Sequence, residues 1–466
     1  MSVEGLEQLA ERVRRDLEFL GYPARPWLAA RKTRRGAPVL DVLIVGAGQG
    51  GLATAFALMR ERVTNLLVVD ENPIDRAGPW LSFARMRTLR TPKHVTGPDL
   101  GLPSLTPRSW YEAQHGEGSW AKLGLIPKDG WAAYLAWYRQ TLGIPVRPDT
   151  RVGALRFSVE DAAWEVPCAG AETLYARRVI LSTGIDGSGQ WDVPALIRDG
   201  LPRRLWSHTR DDIDFAALAG KRVAVLGAGA SAFDNASTAL DHGAREVCLC
   251  FRRPELVKVN AYRWAEFVGF LKHFGELPDA DKWRFVVQIQ EMGQLPPADT
   301  YARAQRHPGF KLHPGCAWKA VDAHGDTVTI TSGSGERHQV DHVIVGTGFV
   351  TDLARRPELG AVEADIARWA DRYRPPDGDR FPDLLRHPYL GPSFEFTERE
   401  PGRAPHLRTL YNFTFGGLLS LGFGGASISG MKYGVQRLVG GVTGSLFVED
   451  REEHLESLRR FAEVEF

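Results

Sequence analysis

Cysteine is scarce in this chain: Cys168, Cys248, Cys250 and Cys316 are all there are among 466 residues. So few thiols in so long a chain make no disulfide framework, and a reducing cytoplasm is the expected compartment. Net charge is also missing. Lys and Arg number 58 against 57 Asp and Glu, a formal charge of +1. A nucleic-acid binder shows a basic excess or stripe, so nucleic acid is not an expected partner. No apolar run approaches the roughly 18 residues that cross a bilayer, and no membrane association is expected. The first twenty residues are charged throughout and lack the apolar core of an export signal.

What is present suits a large folded protein. Hydrophobic residues make up 43% of the chain and charged residues 25%. At ~150 residues per domain the length corresponds to about three domains. Leu6, Leu9, Ala10, Val13, Leu17 and Leu20 recur at helical spacing, which predicts an amphipathic helix ended by Gly21-Tyr22-Pro23 and packed on the outside of the main body. A loop rich in Arg and Pro follows to about residue 38.

From there the pattern changes. The short apolar run Asp41-Val-Leu-Ile-Val45 leads into GAGQGG, a helical stretch from Leu52 to Met59, and a second apolar run, Leu66–Val69, closed by Asp70. Strand, glycine turn, helix and strand make a βαβ unit of a parallel sheet. Gly46 permits the tight turn, Gly48 lets backbone approach a pyrophosphate, and Gly51 lets helix and strand pack closely. Gln49 and Gly50 complete the turn, whose helix N-terminus offers unpaired N–H groups to the pyrophosphate. Asp70, at the end of the second strand, is placed to accept hydrogen bonds from a ribose hydroxyl.

The same arrangement is written again later. Arg222–Leu226 leads into GAGASA, a helix through Leu240, and the run Val247–Phe251 ending in Arg252-Arg253. Here Gly227, Gly229, Ser231 and Ala232 form the turn. Arginines stand where the first unit has Asp70. A carboxylate repels the 2′-phosphate of NADP, whereas guanidinium groups bind it. The first site therefore takes a dinucleotide with a free ribose diol and the second takes NADPH. FAD is the partner expected in the first site, because reducing equivalents pass readily from nicotinamide to flavin.

Two further runs resemble each other: Val179-Ile-Leu181 before Ser182-Thr183-Gly184, and Val343-Ile-Val345 before Gly346-Thr347-Gly348. They read as the chain leaving one sheet and re-entering it around an insertion. The expected fold is α/β, with two Rossmann-like dinucleotide-binding domains and the NADPH domain inserted into the FAD domain. The divisions are an N-terminal helical extension (1–38), a first part of the FAD-binding domain (39–200), an NADPH-binding domain (201–335) with an aromatic helical lid (255–310), a second part of the FAD domain (336–448), and a C-terminal helix (449–466). Gly424-Gly-Ala-Ser427 is expected to open a helix through Leu438.

The cysteines limit where the electrons go. A flavoprotein that reduces a disulfide needs a reactive cysteine pair beside the flavin, and no such pair is present. Dioxygen, a quinone or a protein partner remain as acceptors.

The order of motifs resembles the class B flavin-dependent monooxygenases: the flavin-containing, Baeyer–Villiger and N-hydroxylating enzymes. Gly78-Pro79-Trp80 is similar to their glycine–tryptophan segment beside the flavin. Leu89-Arg-Thr-Pro-Lys93 resembles their segment near the isoalloxazine ring. Gly229-Ala-Ser231-Ala-Phe-Asp234 and Asp341-x-x-x-Val345-Gly-Thr-Gly348-Phe349 resemble their NADP turn and their Ala-Thr-Gly-Tyr signature. The chain departs from the pattern at Pro202-x-Arg204-x-x-x-His208, which keeps only the histidine of the family fingerprint, and at Asp211-Asp212, where the Baeyer–Villiger version has Trp-Pro. It also has no asparagine in the Leu89–Lys93 segment.

The resemblance implies that NADPH reduces FAD, that dioxygen forms a C4a-(hydro)peroxyflavin, and that one oxygen atom passes to a nitrogen, sulfur or ketone centre of a small molecule. It implies cofactor contacts at Trp80, Gly184 and Gly348. It also implies a part for His208 in holding NADP⁺, and for Lys93 near the flavin. The lid and the Trp110–Trp137 segment would exclude water. An electron-transfer reductase or an oxidase is the alternative. No histidine and carboxylate cluster has metal-ligand spacing, so no metal is expected. A homo-oligomer is compatible with the sequence.

Overall fold

The computed structural model of the protein describes residues 3–21, 25–95, 97–376 and 380–466. Its centre is a mixed sheet whose parallel core runs Val146–Arg147, Leu66–Val69, Pro38–Val45 and Leu174–Leu181. The alternation of side chains is lost in these strands because both faces are covered, and five consecutive residues, Asp41–Val45, are buried. Ala163–Val166 and Arg156–Ser158 extend the sheet antiparallel, and Leu410–Asn412 returns late in the chain to pair in parallel with Leu174–Leu181.

A second sheet is parallel throughout, in the order Phe310–His313, Glu246–Cys250, Arg222–Leu226, His342–Val345, Trp206–His208. A three-stranded antiparallel sheet, Trp318–His324, Thr327–Ser332 and Arg337–Val340, lies within the crossover to its fourth strand.

This topology moves a boundary. The second domain, expected to end at residue 335, runs on through His342–Val345, which hydrogen-bonds to Arg222–Leu226 and Trp206–His208 and not to the first sheet. The runs Val179–Leu181 and Val343–Val345 look alike because each is the strand that flanks the glycine turn in its own sheet. Val45 pairs with Leu181, and Leu226 pairs with Val345. The chain crosses between domains on two short antiparallel strands, Gly189–Trp191 and Phe349–Thr351, and the first sheet is re-entered only at Leu410.

The amphipathic N-terminal helix spans Val3–Phe19 and buries Leu9 and Val13 against the first domain. Gly21 follows in the left-handed region, while Tyr22 and Pro23 lie outside the described residues. Within the expected lid, helices Val268–His273 and Asp279–Met292 and the 3-10 turn Phe274–Glu276 between them pack Phe270, Phe274 and Trp283 against Trp369, Leu418, Leu419 and Phe423. The lid is thus anchored on the second part of the first domain. Helix Ile428–Glu449 starts at its cap Ser427. The C-terminal helix is shorter than the expected 449–466: it covers Arg451–Arg459, and the exposed residues after Arg460 pack on nothing that would hold another turn.

Buried charge ties this end to the first sheet. The fully buried Arg177 donates to Asp41 at 3.1 Å and to Asp450 at 2.5 Å, and Arg178 reaches Glu449 at 2.7 Å. Among the described residues no helix is long and apolar enough to cross a membrane.

Candidate dinucleotide sites and the seam between them

Both glycine turns are built the same way. In the first, Gly46 has φ +109°, and a Cβ there would stand 2.4 Å from Ser182 O. Only glycine fits, because the turn presses on the end of the neighbouring strand. A Cβ on Gly51 would meet Gly46 O at 1.9 Å, which fixes how closely helix Gln49–Arg60 approaches its strand. Gly48 differs: nothing lies nearer to its Cβ position than Gly78 Cα at 3.9 Å. In the second turn Gly227 (φ +127°) meets Gly346 O at 2.3 Å, Ala232 is fully buried, and Gly229 opens on space bounded by Gln294 at 3.8 Å. Ser231 is exposed at the first turn of helix Ala230–Asp241.

The space before the first turn carries polar atoms that lack partners. Trp80 Nε1 and Thr183 Oγ1 are both buried without a hydrogen bond, and the Trp80 ring lies against Gly78, itself beside Gly48. Buried donors are rarely left unpaired, so a cradle of open glycine, free helix N–H groups and an orphaned indole suits a pyrophosphate. Gln49 Oε1 accepts from Trp131 Nε1 at 3.1 Å. Gly50 abuts Ser182 Oγ and Gly425 O, which brings the Gly424–Ser427 turn to the same place.

Asp70 is buried and braces the loop. Its Oδ2 accepts from Ala47 N at 2.7 Å, and its Oδ1 accepts from Asn72 N and Nδ2 at 2.9 and 3.0 Å. Oδ1 has both acceptor positions taken, whereas Oδ2 keeps one for a ribose hydroxyl. Gly184 and Gly348, both with positive φ, have no atom within 4 Å of their Cβ positions.

The two arginines part company. Arg252 is exposed at the strand end. Arg253 donates to Glu291 O at 3.0 Å and Gln290 O at 3.3 Å, capping helix Asp279–Met292. A cleft of about 760 Å³ opens beside it, with Lys258, Arg380 and Phe381 on its walls.

His208 lies at the crossing between domains. It is 3% exposed, its ring packs 5.3 Å from Trp191 of the crossing strand, and Nδ1 accepts from Arg210 N at 3.1 Å. Nε2 is buried without a partner. Burial pushes its pKa down to about 4, so the ring is neutral near pH 7. Lys93 is differently placed: its ammonium donates to the carbonyls of Trp120, Ala121 and Leu123 and lies over the Trp120 ring. These bonds close the short helix Ser119–Lys122. The Trp110–Trp137 segment forms a buried aromatic wall, with Trp131 5.2 Å from Tyr134 and 6.4 Å from Trp80.

Sequence reasoning missed the seam itself. Arg90 of the first domain donates to Asp234 of the second at 2.6 Å, and Thr300 Oγ1 donates to the same carboxylate at 3.0 Å. Burial pushes the Asp234 pKa up and the Arg90 guanidinium opposes it. Arg87 pairs with Asp241, two turns further along the same helix, at 2.8 Å. The available signal was a carboxylate set in the apolar run Ala232-Phe233-Asp234-Asn235-Ala236, since an unpaired charge is not buried there without a partner.

Two dinucleotide folds joined by two crossing strands define a pyridine-nucleotide-linked flavoprotein. The family described as pyridine nucleotide-disulphide oxidoreductase matches residues 43–264. The chain is 45% identical over 461 residues to an FAD-dependent urate hydroxylase of Xanthomonas campestris pv. campestris, covering 99% of this chain and 97% of that one. It belongs to the class B flavin-dependent monooxygenases. Its fold is also that of an ornithine hydroxylase from Pseudomonas aeruginosa (TM-score 0.67, 16% identity, covering 88% of this chain and 100% of that one). An ornithine N-hydroxylase from Kutzneria sp. 744, solved with reduced FAD, NADP⁺ and L-ornithine, is equally similar (TM-score 0.67, 16% identity, 89% and 100% covered).

Proposed function

We propose that this monooxygenase hydroxylates urate or a closely related oxidised purine, consuming NADPH and dioxygen. The balance is urate, NADPH, a proton and O₂ giving hydroxylated urate, NADP⁺ and water. The observation that carries this reading is the 45% identity to a urate hydroxylase across essentially both whole chains. Urate contains no sulfur, so this reading departs from the sulfur centre that motif order left open, and it places the oxygen on a purine ring.

FAD fits the first site. Gly46, Gly48, Gln49, Gly50 and Gly51 would hold its pyrophosphate, Asp70 its ribose, and Trp80 and Gly184 the flanks. When bound, the flavin would supply the two-electron redox chemistry that links reduced nicotinamide to dioxygen. Gly227, Gly229, Ser231 and Ala232 would receive the nicotinamide coenzyme, Arg252 its 2′-phosphate, and Gly348 would line the approach. Arg253 then serves mainly to hold the lid helix beside Arg252.

His208 acts as a positioning residue. Neutral and packed on Trp191, it keeps Nε2 free to bond the coenzyme at the crossing between domains. Lys93 fixes the Trp120 segment, and the aromatic wall behind it keeps water from the reacting centre.

The test is turnover by the purified yellow protein. Urate should stimulate NADPH and O₂ consumption in step with its own loss, and label from isotopic dioxygen should enter the product. Absence of stimulation by urate overturns the substrate. Consumption that yields only hydrogen peroxide, or that needs an added electron carrier, replaces oxygenation with oxidase or reductase activity.

A further inference from the structure

A group of side chains in the second domain serves neither dinucleotide site. His313 ends the strand Phe310–His313, Cys316 follows across a His-Pro-Gly-Cys turn, and Glu336 and His338 stand at the start of strand Arg337–Val340. Potential ligand atoms of His313, Glu336 and His338 all lie within 4.8 Å of one another. His338 Nε2 is 3.6 Å from a Glu336 oxygen and 4.0 Å from Cys316 Sγ. The two imidazole rings meet edge to face with centroids 4.7 Å apart. His313 Nε2 is buried and has no hydrogen-bond partner.

We propose that His313, Cys316, Glu336 and His338 form a binding site for a divalent cation of the zinc type. Tetrahedral zinc with bonds of about 2.3 Å to sulfur and about 2.0 Å to nitrogen sets ligand atoms roughly 3.3–3.6 Å apart. The observed separations around His338 exceed this by a few tenths of an ångström; Cys316 Sγ stands outside the mutual 4.8 Å group and meets it through His338, so it and the exposed Glu336 would swing in as the ion binds. Charge balances as well: two neutral imidazoles, a carboxylate and a thiolate offset a +2 ion. Binding would release the Cys316 thiol proton to solvent as the sulfur–metal bond forms. The nearest other charges, Lys311 and Glu246, pair with each other at 2.6 Å.

The site sits directly behind the coenzyme-reading strand end. Phe251 N donates to His313 O at 3.2 Å, and Gly315 N donates to Arg253 O at 2.8 Å. A bound cation braces the turn on which Arg252 and Arg253 are mounted. It lies apart from the reacting atoms, so its part is structural.

The experiment uses the full-length flavoprotein, with zinc measured by elemental analysis after gel filtration and cobalt(II) as the optical probe. The expected result is one equivalent of zinc per chain and a thiolate-to-cobalt charge-transfer band. Cys316→Ser should lose the band, His338→Ala should lose stoichiometric binding, and Cys168→Ser, in the other domain, should keep both. Less than one equivalent in the unaltered protein overturns the site, as does a band that survives Cys316→Ser. Should His338→Ala fail to fold, Cys316→Ser and its cobalt spectrum decide the matter alone.

Discussion

Replacing Gly48 separates the cofactor cradle from the fold that carries it. Gly48 has φ −72° and ψ −176°, a conformation open to any residue, and the nearest atom to its Cβ position is 3.9 Å away. Alanine at such a site should leave the flavin-free protein as stable or more so, by ~0.4–1 kcal/mol. The same empty space is where a pyrophosphate would approach, and a valine fills it. Each charge-assisted hydrogen bond lost there costs about 1.5–3 kcal/mol, which is about 10- to 100-fold in Kd for FAD. Gly51 is the contrast. Its Cβ would stand 1.9 Å from Gly46 O, a backbone atom, and 3.4 Å from the Ile44 side chain. Gly51→Ala must move backbone, at ~1–3 kcal/mol or more, so the flavin-free protein itself should melt several degrees lower. Thermal unfolding of deflavinated protein and a flavin-fluorescence titration read the two effects separately. A Gly48→Val protein that binds FAD as tightly as the parent, or that melts as early as Gly51→Ala, would refute this assignment of the cradle.

Arg252→Ala should weaken NADPH binding by ~1.5–3 kcal/mol and leave NADH nearly unchanged. Arg253→Ala should instead lower the melting temperature by uncapping helix Asp279–Met292; equal losses for both nucleotides in Arg252→Ala would sink the selectivity argument. Acid should destabilise the protein in a defined window. His208, His342 and His387 are buried, and burial pushes each pKa from 6.5 to about 4. Between those values the unfolded chain takes up protons that the folded one does not, so stability falls as pH drops from about 6.5 to 4 and is fully present above it. Urea unfolding across that range checks it, and a flat profile would show these rings protonate in place.

The glycine turns, both βαβ units and the family were legible because each rests on local rules. Gly46 and Gly227 sit between an apolar run and a helix, and their spacing alone says what the backbone must do. The boundary at residue 335 was misplaced for a physical reason. Val179–Leu181 and Val343–Val345 carry the same apolar pattern, and a strand's sequence does not say which sheet will accept its hydrogen bonds. The roles of Arg252 and Arg253 were indistinguishable as neighbours, because only the lid helix, distant in sequence, decides which guanidinium is taken up by carbonyls. His313, Cys316, Glu336 and His338 escaped notice because two whole strands, Trp318–His324 and Thr327–Ser332, separate the two halves of the group.

Composition, periodicity and glycine spacing thus determined by themselves that this chain makes two dinucleotide folds. Only the tertiary structure decided which strand closes which sheet, that Arg90 meets Asp234 across the seam, and that four scattered polar residues share one corner. Local backbone preferences act over a few residues and are written in order along the chain. Pairing between distant segments depends on burial and hydrogen bonds that exist only after the layers have packed.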